Sequence, residues 1–180
     1  MGRKEPESRF FSCLYECFSW VPVALSLLVC AALLALRPMA VSGRSMEPTL
    51  QNGDLMVVSA AACQPVRGDI IVLNKESFYH GQPIVKRVIA VEGDLVDIDF
   101  ARGVVYLNGE ALAEPYIAEP THRKGGLAFP QIVPEGCVFV MGDNRNHSDD
   151  SRRLELGMVD RRYIIGKAYA VLPLGKLLNQ

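Results

Sequence analysis

Three places in this chain combine residue types and spacing that could do chemistry: a serine between a glycine and a proline, a lysine in an apolar strand, and a dense polar loop. The first is Val41-Ser42-Gly43-Arg44-Ser45-Met46-Glu47-Pro48-Thr49-Leu50. Gly43 tolerates positive φ and Pro48 fixes its own φ at about −65°, so the backbone on both sides of Ser45 is constrained and its hydroxyl can be held up on a turn. The same pattern suits an ordinary turn in which Ser45 only caps its own backbone. The second stretch is Pro83 to Asp94, where strand alternation sets Lys86 on the face of Ile84, Val88 and Ala90, with Arg87 on the other. Holding a lysine neutral in water at pH 7 costs roughly 4.6 kcal/mol. Desolvation among apolar side chains lowers that cost and makes the amine a general base. A lysine that snorkels at a sheet edge to block pairing has the same spacing.

The third stretch is Met141-Gly142-Asp143-Asn144-Arg145-Asn146-His147-Ser148-Asp149-Asp150-Ser151-Arg152. It is not a calcium loop, because Arg145 and His147 occupy positions that need oxygen ligands and no Gly or terminal Glu follows in register. His80, His122 and His147 are the three histidines, and none has partners at metal-ligand spacing, so no metal is expected. Two kinds of nucleophilic site fit these residues: a Ser45/Lys86 pair, and a Ser-His-Asp arrangement built on Ser45 and His147.

The elements that must position these residues read as β. Leu55 to Ser59, Asp69 to Leu73 and Ile84 to Val91 are short β-branched runs bounded by Gly-Asp pairs. Val96, Ile98 and Phe100 alternate with Asp97 and Asp99, as in a half-buried strand. Val104 to Leu107 and Ala111 to Leu112 flank Asn108-Gly109, a strong hairpin signal. Residues 113–130 carry Pro115, Pro120, Gly125, Gly126 and Pro130 and read as a loop excursion, and Val138 to Met141 and Tyr163 to Val171 supply the last strands. No helix of usual length is expected after residue 40.

Ahead of this β region, residues 1–17 form a polar-to-apolar leader and residues 18–37 a transmembrane anchor. Phe18 to Leu36 carries no charge, and at 1.5 Å per residue about 19 residues just span a bilayer's hydrocarbon. The run is too long for a secretory h-region and lacks a small-x-small cleavage site before residue 41, so an uncleaved anchor is expected, with the N-terminus inside. The 180 residues, 49% hydrophobic and 22% charged, suit a globular domain over residues 38–180. A net charge of −1 without a basic block excludes an electrostatic footprint for nucleic acid. The five cysteines show no CxxC spacing; Cys63 and Cys137 could pair in an oxidising compartment.

Taken together and in order, Gly43-x-Ser45-Met46-x-Pro48-Thr49-Leu50, Gly68-Asp69-Ile70-Ile71-Val72, Val85-Lys86-Arg87-Val88-Ile89 with Glu92-Gly93-Asp94, and Gly142-Asp143-Asn144-Arg145-x-x-Ser148-x-Asp150-Ser151-Arg152 resemble the type I signal peptidases, membrane-anchored serine proteases with a Ser/Lys dyad. Ile164-Ile165-Gly166-Lys167-Ala168 is similar too. The resemblance implies a mostly β, coiled antiparallel catalytic domain behind one anchor, without a cofactor. It implies Ser45 as nucleophile and Lys86 as general base, with Ser148 hydrogen-bonding the amine and Asp143, Arg145, Asp150 and Arg152 bracing the loop through ion pairs. The Ser45 N–H would serve the oxyanion hole. Gly43 stands where some relatives carry a second serine donor, which leaves Ser42 or backbone groups to complete it. Substrate would lie as a strand beside Val41 to Gly43 and Pro83 to Val85, with Val41, Met46, Leu50, Ile84 and Val85 shaping pockets for small residues at −1 and −3. Lysine at position 86 points to the bacterial and organellar branch. The implied setting is the bacterial cytoplasmic membrane, catalytic domain outermost, with signal-peptide-bearing preproteins and the lipid bilayer as partners of a monomer. A Ser/Lys self-cleaving repressor and a non-enzymatic anchored β-domain are the alternatives.

Overall fold

A computed structural model describes residues 18, 20–31, 36–59 and 64–175. Residues 20–31 are helical, with Trp20, Leu25, Leu27 and Leu28 largely exposed. Among the described residues no helix is long and apolar enough to cross a membrane. The leader, residue 19 and residues 32–35 of the expected anchor lie outside the described residues. The anchor's expected end needs correction, because β1 (Leu36–Ala40) is already extended at Leu36. Pro38 pushes the residue before it out of the helical region, which favours strand there.

The later strands are β2 (Leu55–Ser59), β3 (Ile70–Leu73), β4 (Ile84–Val91), β5 (Leu95–Asp99), β6 (Val104–Leu107), β7 (Glu110–Ala111), β8 (Gln131–Ile132), β9 (Cys137–Met141), β10 (Val159–Asp160) and β11 (Ile164–Leu172). They form a seven-stranded sheet in the order β1-β2-β11-β3-β4-β9-β10 and a four-stranded sheet in the order β7-β6-β5-β8. The registers among β2 to β11 are antiparallel, so the mostly β reading holds. The Asn108-Gly109 hairpin forms as expected, with φ of 54° and 86° that suit a primed turn. At Gly166, where β11 passes from β3 to β2, an added Cβ would lie 2.5 Å from the Ser59 carbonyl oxygen, so only glycine fits.

Strand β4 carries the lysine, and its packing departs from simple alternation. The register against β9 shifts between Val88 and Ala90, leaving Ile89 as an extra residue. A bulge of this kind bends the strand and re-aims the side chains beyond it. Val88 therefore packs with Ile71, Leu73, Val138 and Val140, and Ile84 packs against the same group. Ala90 instead joins Ile89, Phe139 and Met141 in the core that links the two sheets through Val96, Ile98 and Val105. Lys86 thus shares its face with Ile84 and Val88 but not with Ala90. Its register partner is Ile71, which is fully buried. Cys137 is a half-buried free thiol; Cys63 lies outside the described residues.

Candidate active site

The Ser45 turn is pinned at its base and open at its tip. Val41 N donates to Asp54 O at 2.8 Å and Gly53 N to Val41 O at 2.9 Å, which anchors the entry. Gly43 has φ +91°, a left-handed conformation that disfavours any side chain, and its N–H donates to Asn52 Oδ1 at 3.0 Å. Leu50 N then donates to Met46 O at 2.9 Å, closing one helical turn beneath the serine. Ser42, Gly43 and Arg44 are exposed, while Ser45 is half-buried.

Against this turn β4 places the amine. Lys86 Nζ donates to Ser45 Oγ at 2.8 Å and to Val85 O at 3.0 Å. Lys86 is only 3% exposed. Burial pushes its pKa down to about 8, against an upward pull from Asp150, Asp149 and Asp143 and a downward push from Arg152. A lysine so placed holds a useful neutral fraction near neutral pH, which an exposed lysine does not.

The polar loop after β9 holds both partners in register. Asn144 N donates to Ser45 O and Asn144 Nδ2 to Arg44 O, each at 3.0 Å. Asp143 is fully buried and takes a bidentate bond from Arg87, Nε at 2.8 Å and Nη2 at 2.7 Å, plus the Thr49 hydroxyl at 2.5 Å. One carboxylate thereby ties the serine stretch, the lysine strand and the loop together. Arg87 also lies 4.1 Å from the centre of the Tyr116 ring. Burial, and next the Glu114 carboxylate, push the Tyr116 hydroxyl up to about 12.

The remaining braces divide. Asp150 receives Arg152 Nε and Nη2 at 2.8 Å and the Gly142 N–H at 3.0 Å. Burial alone would raise its pKa, yet these bonds and the Arg152 charge hold it below the usual carboxylate range. Arg152 also donates to Arg145 O and Arg123 O. Arg145, fully buried, pairs outside the loop, with Glu114 and with Thr121 Oγ1. Of the four charged residues expected to brace the loop through ion pairs, Asp150 and Arg152 pair with each other. Asp143 and Arg145 pair with other segments.

Two expected roles need correction. Ser148 Oγ is buried and has no hydrogen-bond partner, so the bond to Lys86 is not made. The Ser148 side chain and the Ser45 carbonyl crowd Gly142, where an added Cβ would meet Ser148 Oγ at 2.3 Å and Ser45 O at 2.4 Å. The amine's bonds run to Ser45 Oγ and Val85 O instead. Leu50 does not line the cleft: the turn closed by Leu50 N folds its side chain into the core with Met56, Val58 and Val72, where it is 0% exposed.

The other pocket candidates do come together. Val41, Met46, Ile84 and Val85 line one cleft with Ser42, Gly43, Ser45 and Lys86. Met39, Ala40, Met56 and Val72 add apolar wall that sequence reasoning did not assign. His147 stands at the rim, its ring Nδ1 3.2 Å from Asn144 Oδ1 and 3.4 Å from Glu119 Oε1, so the nitrogen that contacts Ser45 is that of Lys86. Thr49, Arg87, Glu114, Thr121 and Asn144 were also missed. Buried charge was the available signal, since Arg145 and Asp143 need partners when desolvated. Among the described residues no His, Cys, Asp and Glu side chains converge as a metal ligand set.

Residues 14–172 match the family model described as signal peptidase, peptidase S26. Over 161 residues the chain is 39% identical to a Synechocystis sp. protein named "Probable signal peptidase I-1", spanning 82% of this chain and 78% of that one. Over 170 residues it is 35% identical to the signal peptidase I of Bacillus licheniformis, spanning 86% and 87%. The crystal structure of a signal peptidase I from Enterococcus faecalis is 30% identical with a TM-score of 0.47, spanning 58% of this chain and 96% of that one. The chain belongs to the signal peptidase family, peptidase S26, and is a serine peptidase.

Proposed function

We propose that this peptidase removes N-terminal signal peptides from exported preproteins, using Ser45 as nucleophile and Lys86 as general base. The observation that carries the reading is the 2.8 Å bond from Lys86 Nζ to Ser45 Oγ, made by a lysine that burial holds near a pKa of about 8. Neutral Lys86 accepts the Ser45 proton as Oγ attacks the carbonyl carbon before the scissile bond. The ammonium then returns that proton to the amine as the C–N bond breaks, leaving an ester on Ser45. Water, deprotonated by the same amine, hydrolyses the ester and restores both groups.

The developing oxyanion needs donors in place. The Gly43 N–H is committed to Asn52, so Gly43 contributes room rather than a bond. The Ser45 N–H donates to no other described residue, and the Ser42 hydroxyl on the cleft wall is the second donor. Ser148 acts by packing on Gly142 beneath Ser45. The acyl side of the substrate lies extended in the cleft, where the apolar walls of Val41, Met46, Ile84 and Val85 accept small residues at −1 and −3.

The uncharged run that begins at Phe18 supports a membrane anchor ahead of β1. We further infer that the membrane is the bacterial cytoplasmic membrane, that the catalytic domain lies on its outer face and that the enzyme acts as a monomer. Family membership removes the non-enzymatic alternative. The test is cleavage of a synthetic peptide whose signal ends in Ala-x-Ala, by the full chain in detergent with lipid. Cleavage after the second alanine is expected, and an intact peptide contradicts the reading.

A further inference from the structure

The cleft that carries the substrate's acyl side ends at Ser45, and a second hollow begins where it stops. This hollow shares Arg44 and His147 with the cleft and is otherwise bounded by Glu47, Pro48, Ile117 and Glu119, with Ala118 and Asn144 completing it. A peptide whose reacting carbonyl sits on Ser45 Oγ, and whose preceding residues fill the apolar cleft, has to leave across Arg44 and His147. The path out of the active site runs into the second hollow. Its far wall comes from residues 117–119, part of the 113–130 excursion, which the Ala118 N–H fastens to Asp143 O at 3.1 Å. That bond ties the wall to the same loop that holds the Ser45 turn.

The hollow has a definite charge. Arg44 and Glu47 close on each other at 3.1 Å, and this pair presents no net charge. Glu119 faces His147, whose side chain is 72% exposed. Among the described residues Glu119 is the one carboxylate of the hollow without a Lys or Arg partner.

We propose that this hollow is the leaving-group subsite, and that Glu119 is its specificity-determining residue, favouring cationic over acidic side chains in the first three residues after the scissile bond. The proposal builds on the peptidase reading above. The new amine formed on cleavage also departs past Glu119, as a cation once it takes up a solvent proton. A single partly exposed carboxylate, screened by solvent, shifts kcat/KM between a lysine and a glutamate substrate by about threefold to tenfold at low salt.

The experiment compares peptides with one signal portion and either Lys, Ala or Glu at the second position after the cut, using the full chain in detergent with lipid at low ionic strength. The expected order of kcat/KM is Lys, then Ala, then Glu. Glu119→Gln brings the Lys and Glu peptides within about twofold, and Glu119→Lys reverses their order. Glu110→Lys, an equal charge change on exposed β7 away from the hollow, leaves the wild-type ratio unchanged. Cleavage with a ratio that ignores Glu119, or that shifts equally in Glu110→Lys, overturns the subsite and leaves the peptidase reading standing. Failure to cleave any of the peptides overturns both.

Discussion

Ser45 stands on a turn whose residues 42–44 are exposed and whose Arg44 pairs with Glu47 at the surface, whereas the loop it touches buries Asp143, Arg145, Asp150 and Arg152 at 0–1% exposure. The turn has to admit a substrate strand, so its shape is set by glycine conformation and a few backbone bonds. The loop admits nothing, so it can hold charge–charge geometry that would be lost if water entered. The shape of the open part is held by the closed part, through Asn144 on the Ser45 carbonyl and Asp143 on Thr49 and Arg87. Substitutions in the two regions should therefore damage different quantities.

The largest effects are expected on turnover with little effect on stability. Ser45→Ala and Lys86→Ala each lower kcat by about 10^4-fold or more, and the double variant is little worse because the pair acts as one unit. Peptide cleavage measured alongside thermal unfolding checks this for Ser45→Ala, whose unfolding temperature should stay put. His147→Ala keeps activity within about tenfold, since it touches neither reacting group. A dead His147→Ala would bring the triad back.

Next come losses of stability from the closed region. Asp150→Asn leaves Arg152 buried without its counter-charge and is expected to cost about 3–5 kcal/mol in denaturant unfolding. Because the Asp150 pKa is lowered in the folded state, its contribution is complete above the usual carboxylate range and fades as pH falls. The wild-type advantage over Asp150→Asn should fade in the same acid window. Arg44→Ala, in the open turn, changes stability by less than about 1 kcal/mol.

The two glycines divide the regions more finely. Gly142→Ala puts a methyl into Ser148 Oγ and the Ser45 carbonyl, so it costs about 1–3 kcal/mol and displaces the nucleophile as well. Gly43→Ala meets nothing within 4 Å and costs only the left-handed strain, about 1–2 kcal/mol. Equal loss of kcat in both would mean that the closed region does not position Ser45.

A last effect runs against the usual sign. A lysine whose pKa is lowered on folding destabilises the protein wherever it is charged in both states, here by about 3 kcal/mol below pH 8 before the Ser45 and Val85 bonds offset part of it. Lys86→Met is expected to gain stability at pH 7. The gain should shrink as pH rises from 8 towards the solution pKa of lysine, which unfolding curves at several pH values would follow.

Much of this was legible in the chain. Leu55–Ser59 and Ile84–Val91 are strands with the expected bounds, because β-branched runs between glycine turns leave the backbone few other choices. The constrained turn and the apolar strand marked Ser45 and Lys86 as candidates, and the resemblance to the type I signal peptidases paired them. The rest needed the third dimension. Nothing local to Ile89 announces the bulge that moves Ala90 to the other core, and the Leu50 side chain is turned inward by a backbone bond to Met46. Residues 113–130 read as a mere excursion because Glu114 and Thr121 are unremarkable until Arg145 is buried against them. Strand β1 was hidden because its first residue continues an apolar run.

The central claim is that a buried, neutral Lys86 is the base for Ser45, and the pH dependence of kcat/KM on an Ala-x-Ala peptide tests it most directly. The account predicts an acidic limb with an apparent pKa of about 8 that persists in His147→Ala. A limb at about 6.5 that disappears in His147→Ala, or one at about 10.4 as for a lysine in water, would contradict it.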